Sequence, residues 1–466
     1  MSAREELDKI ISLIKEKGAL FIDLKFTDFY GRWHHLTLDP KNIKEDLLTI
    51  GVGVDGSSLG YKSVECGDLT IIPDIDTAFI DPFFKETTIS FICNITESNF
   101  EKPYHLDPRQ IAKKCEDYIK RTLKGARAVF SPEFEFFLFD EVEFSTNPNY
   151  SFFNIVSFEY EDTMKGTDIR YQDGYHHIPP GDNYANFRNT LSKMLSDIKI
   201  PIKYHHHEVG AMGQQEIEIG FLPLLKMADT TMIVKYFTRN LADNEGLIAT
   251  FMPKPISNMS GNGMHIHQYL EKDNRSLFYD ENGPSCLSEL ALKYIGGILQ
   301  NGTAIFALTN PSVNSFKRLS PHFEAPQYLF HSEANRTAAI RIPSYAKNET
   351  EMRIEYRAPD ATCNPYLAMS ALVLVGLYGI ENNIIAPDPI IGDFETQPHD
   401  IKDKFKRVPQ DLKEALLEFK RNHEFILSNG VFTDDFIKAW LALKYNEILR
   451  VEKQVSPVEF YLYFDT

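Results

Sequence analysis

Glu133 and Glu135 stand two residues apart in Ser131-Pro132-Glu133-Phe134-Glu135-Phe136-Phe137-Leu138. On a β-strand that spacing sends both carboxylates to one face and Phe134, Phe136 and Leu138 to the other. Carboxylates on so apolar a strand are costly unless they meet water, a cation or a divalent metal. The same period of two recurs downstream. Gln215-Glu216-Ile217-Glu218-Ile219 puts Glu216 and Glu218 on one face, and Glu208 follows His205-His206-His207 just upstream. Met264-His265-Ile266-His267-Gln268 carries two histidines, and Arg353-Ile354-Glu355-Tyr356-Arg357 alternates arginine, glutamate and arginine. Four strands with ionisable groups at i and i+2 predict one polar cavity inside a sheet or barrel. Carboxylates with a histidine suit Mg²⁺ or Mn²⁺ better than a thiolate metal, and the arginines suit phosphate.

The elements that hold these residues can be read in chain order. Leu7, Ile10, Ile11 and Ile14 recur at helical spacing until Gly18, with Ser2 placed to cap the helix. Phe21 to Phe26 alternates as a strand, Asp28 to Gly31 is a turn, and Trp33 to Leu38 returns. Another strand covers Thr87 to Ile95, and the pattern turns helical from Asp107-Pro108, which puts a domain boundary near residue 103. Gly51, Gly53 and Gly56 match GxGxxG, but no clear strand precedes them and no amphipathic helix follows, so the stretch reads as a polar loop.

The 466 residues allow two or three domains, and the formal net charge of -17 argues against a nucleic-acid or anionic-membrane partner. Five cysteines without CxxC spacing fit reduced thiols. The apolar run from Ala368 to Ile380 is too short to span a bilayer and reads as a buried helix. With no signal peptide visible, the expectation is a cytoplasmic protein without a membrane or nucleic-acid partner.

Asp55-Gly56-Ser57-Ser58, followed by Cys66-Gly67-Asp68 and Ile72-Pro73-Asp74, resembles the N-terminal signature of type I glutamine synthetases. The resemblance continues through His206-His207-Glu208-Val209, Phe251-Met252-Pro253-Lys254-Pro255, Gly263-Met264-His265-Ile266-His267, Asn335-Arg336-Thr337-Ala338, Ile340-Arg341-Ile342-Pro343 and Asn364-Pro365-Tyr366-Leu367-Ala368. It covers nearly the whole chain.

The resemblance implies an α+β fold. A small β-grasp-like domain, residues 1–103, would precede a catalytic domain, residues 104–466, with an incomplete antiparallel β-barrel flanked by helices. It implies a dodecamer of two stacked hexameric rings, with active sites between subunits. It also implies ATP-dependent joining of ammonia to the γ-carboxylate of L-glutamate. By the same resemblance Glu135, Glu208 and Glu216 would hold one Mg²⁺ or Mn²⁺, and Glu133, His265 and Glu355 a second. Arg336, Arg341 and His267 match phosphate contacts, Phe221 and Arg353 nucleotide contacts, and Arg318 and Arg357 the arginines that hold glutamate. Asp55, Ser58, Tyr175 and Glu208 match the ammonium site, Asp55 being the base, and Glu324 lies in a flap that excludes water.

Two departures from the family pattern stand out. Ser260 replaces the asparagine that, beside Gly261, touches substrate glutamate, and Ile390 to Thr396 contains Phe394 but no modifiable tyrosine. The residues leave two alternatives: a related ligase using an amine or polyamine, and a non-catalytic structural or regulatory relative. The intact ammonium set opposes the first, and the complete metal set opposes the second.

Overall fold

The computed structural model describes residues 3–62, 64–98, 102–160, 169–321, 323–427 and 430–464. Ser2, read as a helix cap, and the start of the boundary region at Glu101 lie outside these residues. The first helix, Ala3–Lys17, buries Ile10 and stops at Gly18, whose φ of +62° suits glycine.

Five strands follow: β1 (Phe21–Thr27), β2 (Trp33–Leu38), β3 (Val52–Asp55), β4 (Asp68–Asp81) and β5 (Thr88–Glu97), in the order β2-β1-β5-β4-β3. β1 runs antiparallel to β2 and parallel to β5. Its alternation hides a second buried face, because Asp23, Lys25 and Thr27 are as enclosed as Ile22, Leu24 and Phe26. Lys25 Nζ lies 2.6 Å from Asp23 and 3.1 Å from Asp81, and 4.5 Å from the centre of the Tyr236 ring. Tyr236 belongs to the helix Leu224–Asn244, so the polar face of the sheet packs against the second half of the chain.

The polar stretch after Gly51 departs from its sequence reading. Val52 to Asp55 is itself a strand, antiparallel to β4, with Asp55 opposite Asp68. Gly51 enters it at φ +80°, where an added Cβ would lie 2.3 Å from the Ile71 carbonyl oxygen, so only glycine fits.

Arg109, fully buried near the start of the helix Pro108–Thr122, ties the first sheet to the helix Leu224–Asn244. Its guanidinium donates to Asp229 at 2.9 and 2.8 Å, to Asn94 at 2.6 Å and to Asp74 at 2.8 Å. Asp107 caps the same helix by accepting from the Arg109 backbone N–H, and also accepts from the Ile95 N–H on β5.

The remaining strands are β6 (Arg127–Phe139), β7 (Glu141–Asn147), β8 (Tyr150–Val156), β9 (Ile202–His207), β10 (Gln214–Ile219), β11 (Leu222–Pro223), β12 (Ile248–Thr250), β13 (Ile266–Lys272), β14 (Arg275–Ser276), β15 (His331–Glu333), β16 (Ile340–Ile342) and β17 (Ile354–Tyr356). β7 and β8 form a separate hairpin. The others form a ten-stranded half-barrel with the path β15-β16-β17-β13-β6-β10-β9. Its pairs are antiparallel except β15 with β16. Phe134, Phe136 and Leu138 are fully buried in its core, as the period of two predicts. Behind the barrel the predicted apolar helix runs Pro365–Glu381 and packs on the helix Glu289–Thr309. Gly297 and Gly379 allow that approach, since a Cβ on Gly297 would meet the Val375 carbonyl at 2.2 Å. Among the described residues no helix is long and apolar enough to cross a membrane.

Candidate active site

The four ionisable strands meet at one cavity of about 1210 Å³. Register explains the meeting. Across the β10–β6 pair Glu216 lies opposite Glu135 and Glu218 opposite Glu133; across β13–β17 His267 lies opposite Glu355; across β16–β17 Arg341 lies opposite Glu355. His265 precedes β13, and its backbone carbonyl accepts from the Glu133 N–H at 2.9 Å.

Glu133, His265 and Glu355 place one ligand atom each within 4.8 Å of one another. Glu133 Oε2 is 2.9 Å from His265 Nδ1, and Glu133 Oε1 is 3.0 Å from His267 Nε2. Burial would raise the Glu133 pKa, but these imidazole contacts outweigh it and hold the carboxyl well below its usual range. Burial likewise opposes ionisation of Glu355, yet Arg357 and the nearby histidines hold it at about 2. Arg341 donates to one oxygen of Glu355 and Arg357 to the other.

The second group differs from the expected set. His206, Glu208 and Glu216 bring their ligand atoms within 4.8 Å, with His206 Nε2 3.3 Å from Glu216. Glu135 sits between the two groups, one oxygen accepting from the Gly263 N–H at 2.7 Å and the other 3.8 Å from His265 Nδ1. Burial, and then repulsion among Glu208, Glu216, Glu133 and Glu135, raises the pKa values of Glu208 and Glu216 well above the usual range. Such crowding of anions is what a bound divalent cation relieves, so the donor set fits hard metals. His206 was the residue the sequence reading left unassigned. Its signal was the same period of two, since His206 and Glu208 are i and i+2.

Glu218, which shares a face with Glu216, is fully buried and paired, with Lys203 Nζ at 2.6 Å and Ser131 Oγ at 3.3 Å. His267 is also fully buried, behind Glu133, and does not line the cavity.

Tyr175, Ser260, Gly261, Arg318, Glu324 and Arg336 line the same cavity. Arg318 is held rigidly, its guanidinium donating to the Ala358, Pro359 and Arg357 carbonyls. Arg357 Nε donates to the Arg336 carbonyl at 2.8 Å. Arg336 lies 5.9 Å from the centre of the Tyr175 ring. Phe221 and Arg353 form a neighbouring corner, the guanidinium 5.6 Å from the Phe221 ring and 5.5 Å from that of Tyr345 on the cavity wall.

Asp55 and Ser58 are not brought to the cavity within this chain. They pair with each other instead: Asp55 accepts from Ser58 Oγ at 2.7 Å and from Ser57 Oγ at 2.7 Å. These hydroxyls, Ser58 foremost, lower the Asp55 pKa to about 2 and keep it a carboxylate.

A cavity lined by carboxylates, histidines and arginines from neighbouring strands of one sheet is chemically suited to metal ions and anions. Residues 18–98 match the glutamine synthetase beta-Grasp domain and residues 105–463 the glutamine synthetase catalytic domain. The chain is 42% identical over 463 residues to the glutamine synthetase of Aquifex aeolicus (strain VF5), covering 98% of each. It is 40% identical over 467 residues to that of Azotobacter vinelandii, covering 98% of this chain and 100% of the relative. Its fold resembles the cryo-EM structure of Plasmodium falciparum glutamine synthetase with a TM-score of 0.87 at 26% identity, covering 98% of both chains. The chain belongs to the glutamine synthetase family.

Proposed function

We propose the following roles for the cavity in glutamine synthesis. The chain is a glutamate–ammonia ligase: ATP phosphorylates the γ-carboxylate of L-glutamate, and ammonia displaces phosphate from the γ-glutamyl phosphate to give glutamine, ADP and phosphate. The observation that carries the assignment is the convergence of Glu133, His265 and Glu355 beside Arg341 and Arg357 in one cavity.

Glu133, His265 and Glu355 hold one Mg²⁺ or Mn²⁺, and Glu208 and Glu216 hold another with Glu135 or His206. When bound, these ions neutralise phosphate charge and steady the substrates. Arg336 and Arg341 bind the transferred phosphate; Arg318 and Arg357 hold the carboxylates of glutamate with Ser260 and Gly261 alongside. His267 fixes Glu133 from behind, one step removed from the phosphates, while Phe221 and Arg353 seat the nucleotide. Glu324, at φ +52°, closes the water-excluding flap.

Ammonium arrives charged and must lose a proton, a task for Asp55 with Ser58, Tyr175 and Glu208. Since Asp55 lies away from its own cavity, it serves the cavity of a neighbouring subunit, in a cytoplasmic dodecamer of two hexameric rings. We place the domain limit at 103/104. A phosphate-release assay with ATP, Mg²⁺ and glutamate, comparing ammonium with a panel of amines, tests the reading. Faster turnover of putrescine or ethylamine than of ammonium would overturn the choice of nucleophile.

A further inference from the structure

Ser260 occupies the place at which the family pattern has an asparagine amide against the amino-acid substrate, and the structure shows where its hydroxyl goes. Ser260 Oγ lies 3.0 Å from Gln172 Oε1, and the Ser260 backbone N–H donates to the same oxygen at 3.3 Å. A serine hydroxyl has one hydrogen to give, so while it is given to Gln172 it is not given to a substrate.

The loop carrying Ser260 has no slack with which to move the shorter side chain forward. The Asn262 N–H donates to the Pro253 carbonyl at 2.8 Å, its amide to the Met252 carbonyl at 2.9 Å, and Gln214 donates to the Gly261 carbonyl at 3.1 Å. An added Cβ on Gly261 would stand 2.3 Å from the Pro253 oxygen, and one on Gly263 would stand 2.5 Å from the Arg318 guanidinium. The backbone here is packed too closely to shift.

Gln172 is half-buried, lines the same cavity and holds φ at +57°. A left-handed backbone is unusual for glutamine and persists where its surroundings impose it. With Oε1 accepting twice from Ser260, the carboxamide orientation is fixed, and its NH₂ is left with no partner among the described residues. That NH₂ is the same donor group an asparagine at position 260 would present, offered from a different segment.

We infer that Gln172 supplies the amide contact to an oxygen of the amino-acid substrate, with Ser260 as the anchor that aims it. Gln172 is then a specificity-determining residue for glutamate. The inference rests on the glutamine synthetase reading of the cavity.

The test is steady-state kinetics of the intact enzyme with glutamate and ATP varied in turn. Gln172→Ala is expected to raise KM for glutamate about 10- to 100-fold, the range for one hydrogen bond to a charged group, leaving KM for ATP unchanged. Gln172→Glu, nearly the same size, should raise it further by opposing the substrate carboxylate. Ser260→Asn added to Gln172→Ala should restore most of the loss, because it returns an amide to the pocket. An unchanged KM for glutamate in Gln172→Ala, equal rises for glutamate and ATP, or no rescue by Ser260→Asn would each overturn the inference. A wild-type enzyme unable to make glutamine would overturn the cavity reading itself, before any substitution is made.

Discussion

Glu216 lies directly opposite Glu135 across the β10–β6 pair, two like charges facing one another on a buried sheet. The arrangement is unfavourable for folding and favourable for holding a cation. Glu216→Gln should therefore stabilise the metal-free protein by about 1 kcal/mol, roughly 1 °C in Tm for a chain of this length. The same substitution should lower glutamine synthesis by at least ~100-fold. Differential scanning calorimetry and product assay check both halves, and a variant less stable than wild type without metal would contradict the assignment.

Acid should stabilise the metal-free chain over the range in which Glu208 and Glu216 titrate. Their folded pKa values are raised above the ordinary 4.5, so the folded state binds more protons than the unfolded one. Stability from this pair therefore rises as pH falls through the raised values towards 4.5. Below that, protonation of Glu133 and Glu355, whose pKa values are lowered, removes stability. Metal binding should release protons and flatten the upper slope. Melting curves from pH 5 to 9 with and without Mg²⁺ would show it, and parallel curves would refute it.

Arg109→Met should leave Asp229 as a buried carboxylate, and Asp74 as a part-buried one, without their cation at the joint between the first sheet and the helix Leu224–Asn244. The expected loss is about 3–5 kcal/mol, read as a fall in the urea midpoint. A loss of less than ~1 kcal/mol would mean that Arg109 does not carry the joint.

Asp55→Ala should suppress glutamine formation far more than acyl-phosphate formation, since deprotonation of ammonium belongs to the second step. Mixed with Glu355→Ala and reassembled, it should recover activity, because some cavities are intact and meet an intact Asp55 from a neighbour. Random mixing at equal amounts predicts about a quarter of wild-type sites. No recovery in reassembled hybrids would argue that each chain completes its own site.

Phe394 is buried against Phe330, Tyr328 and Phe405. Phe394→Ala should cost about 3–5 kcal/mol and should not alter nucleotide modification, because a phenylalanine has no hydroxyl to esterify. An adenylyl adduct on residues 384–407 in intact-mass spectra would overturn the second statement.

The strands carrying the cavity's carboxylates and histidines were legible because a period of two fixes which side chains share a face, whatever the strand pairs with. Which strands pair was not legible, and so neither was the closeness of His206 to Glu216. Its place beside Glu216 comes from the β9–β10 register, a contact across the sheet. β3 was read as loop because Val-Gly-Val-Asp has little strand signal of its own and becomes a strand by pairing with β4. The pairing of Glu218 was not legible because Lys203, whose ammonium meets it, lies on another strand. The resemblance named Asp55 but local residues did not, since Asp55 and Ser58 bond to each other and not to the cavity of their own chain.

Both oxygens of Glu133 are engaged, one with His265 and one with His267, and both oxygens of Glu355 are engaged with arginines. A cation entering here displaces existing partners instead of dropping into a ring of idle ligands. We expect loading to be an exchange reaction, in which an ion competes with these histidines and arginines for the same oxygens. Protein stripped of ions should regain activity after a lag, and an assay started by adding metal last would record that lag as apparent hysteresis.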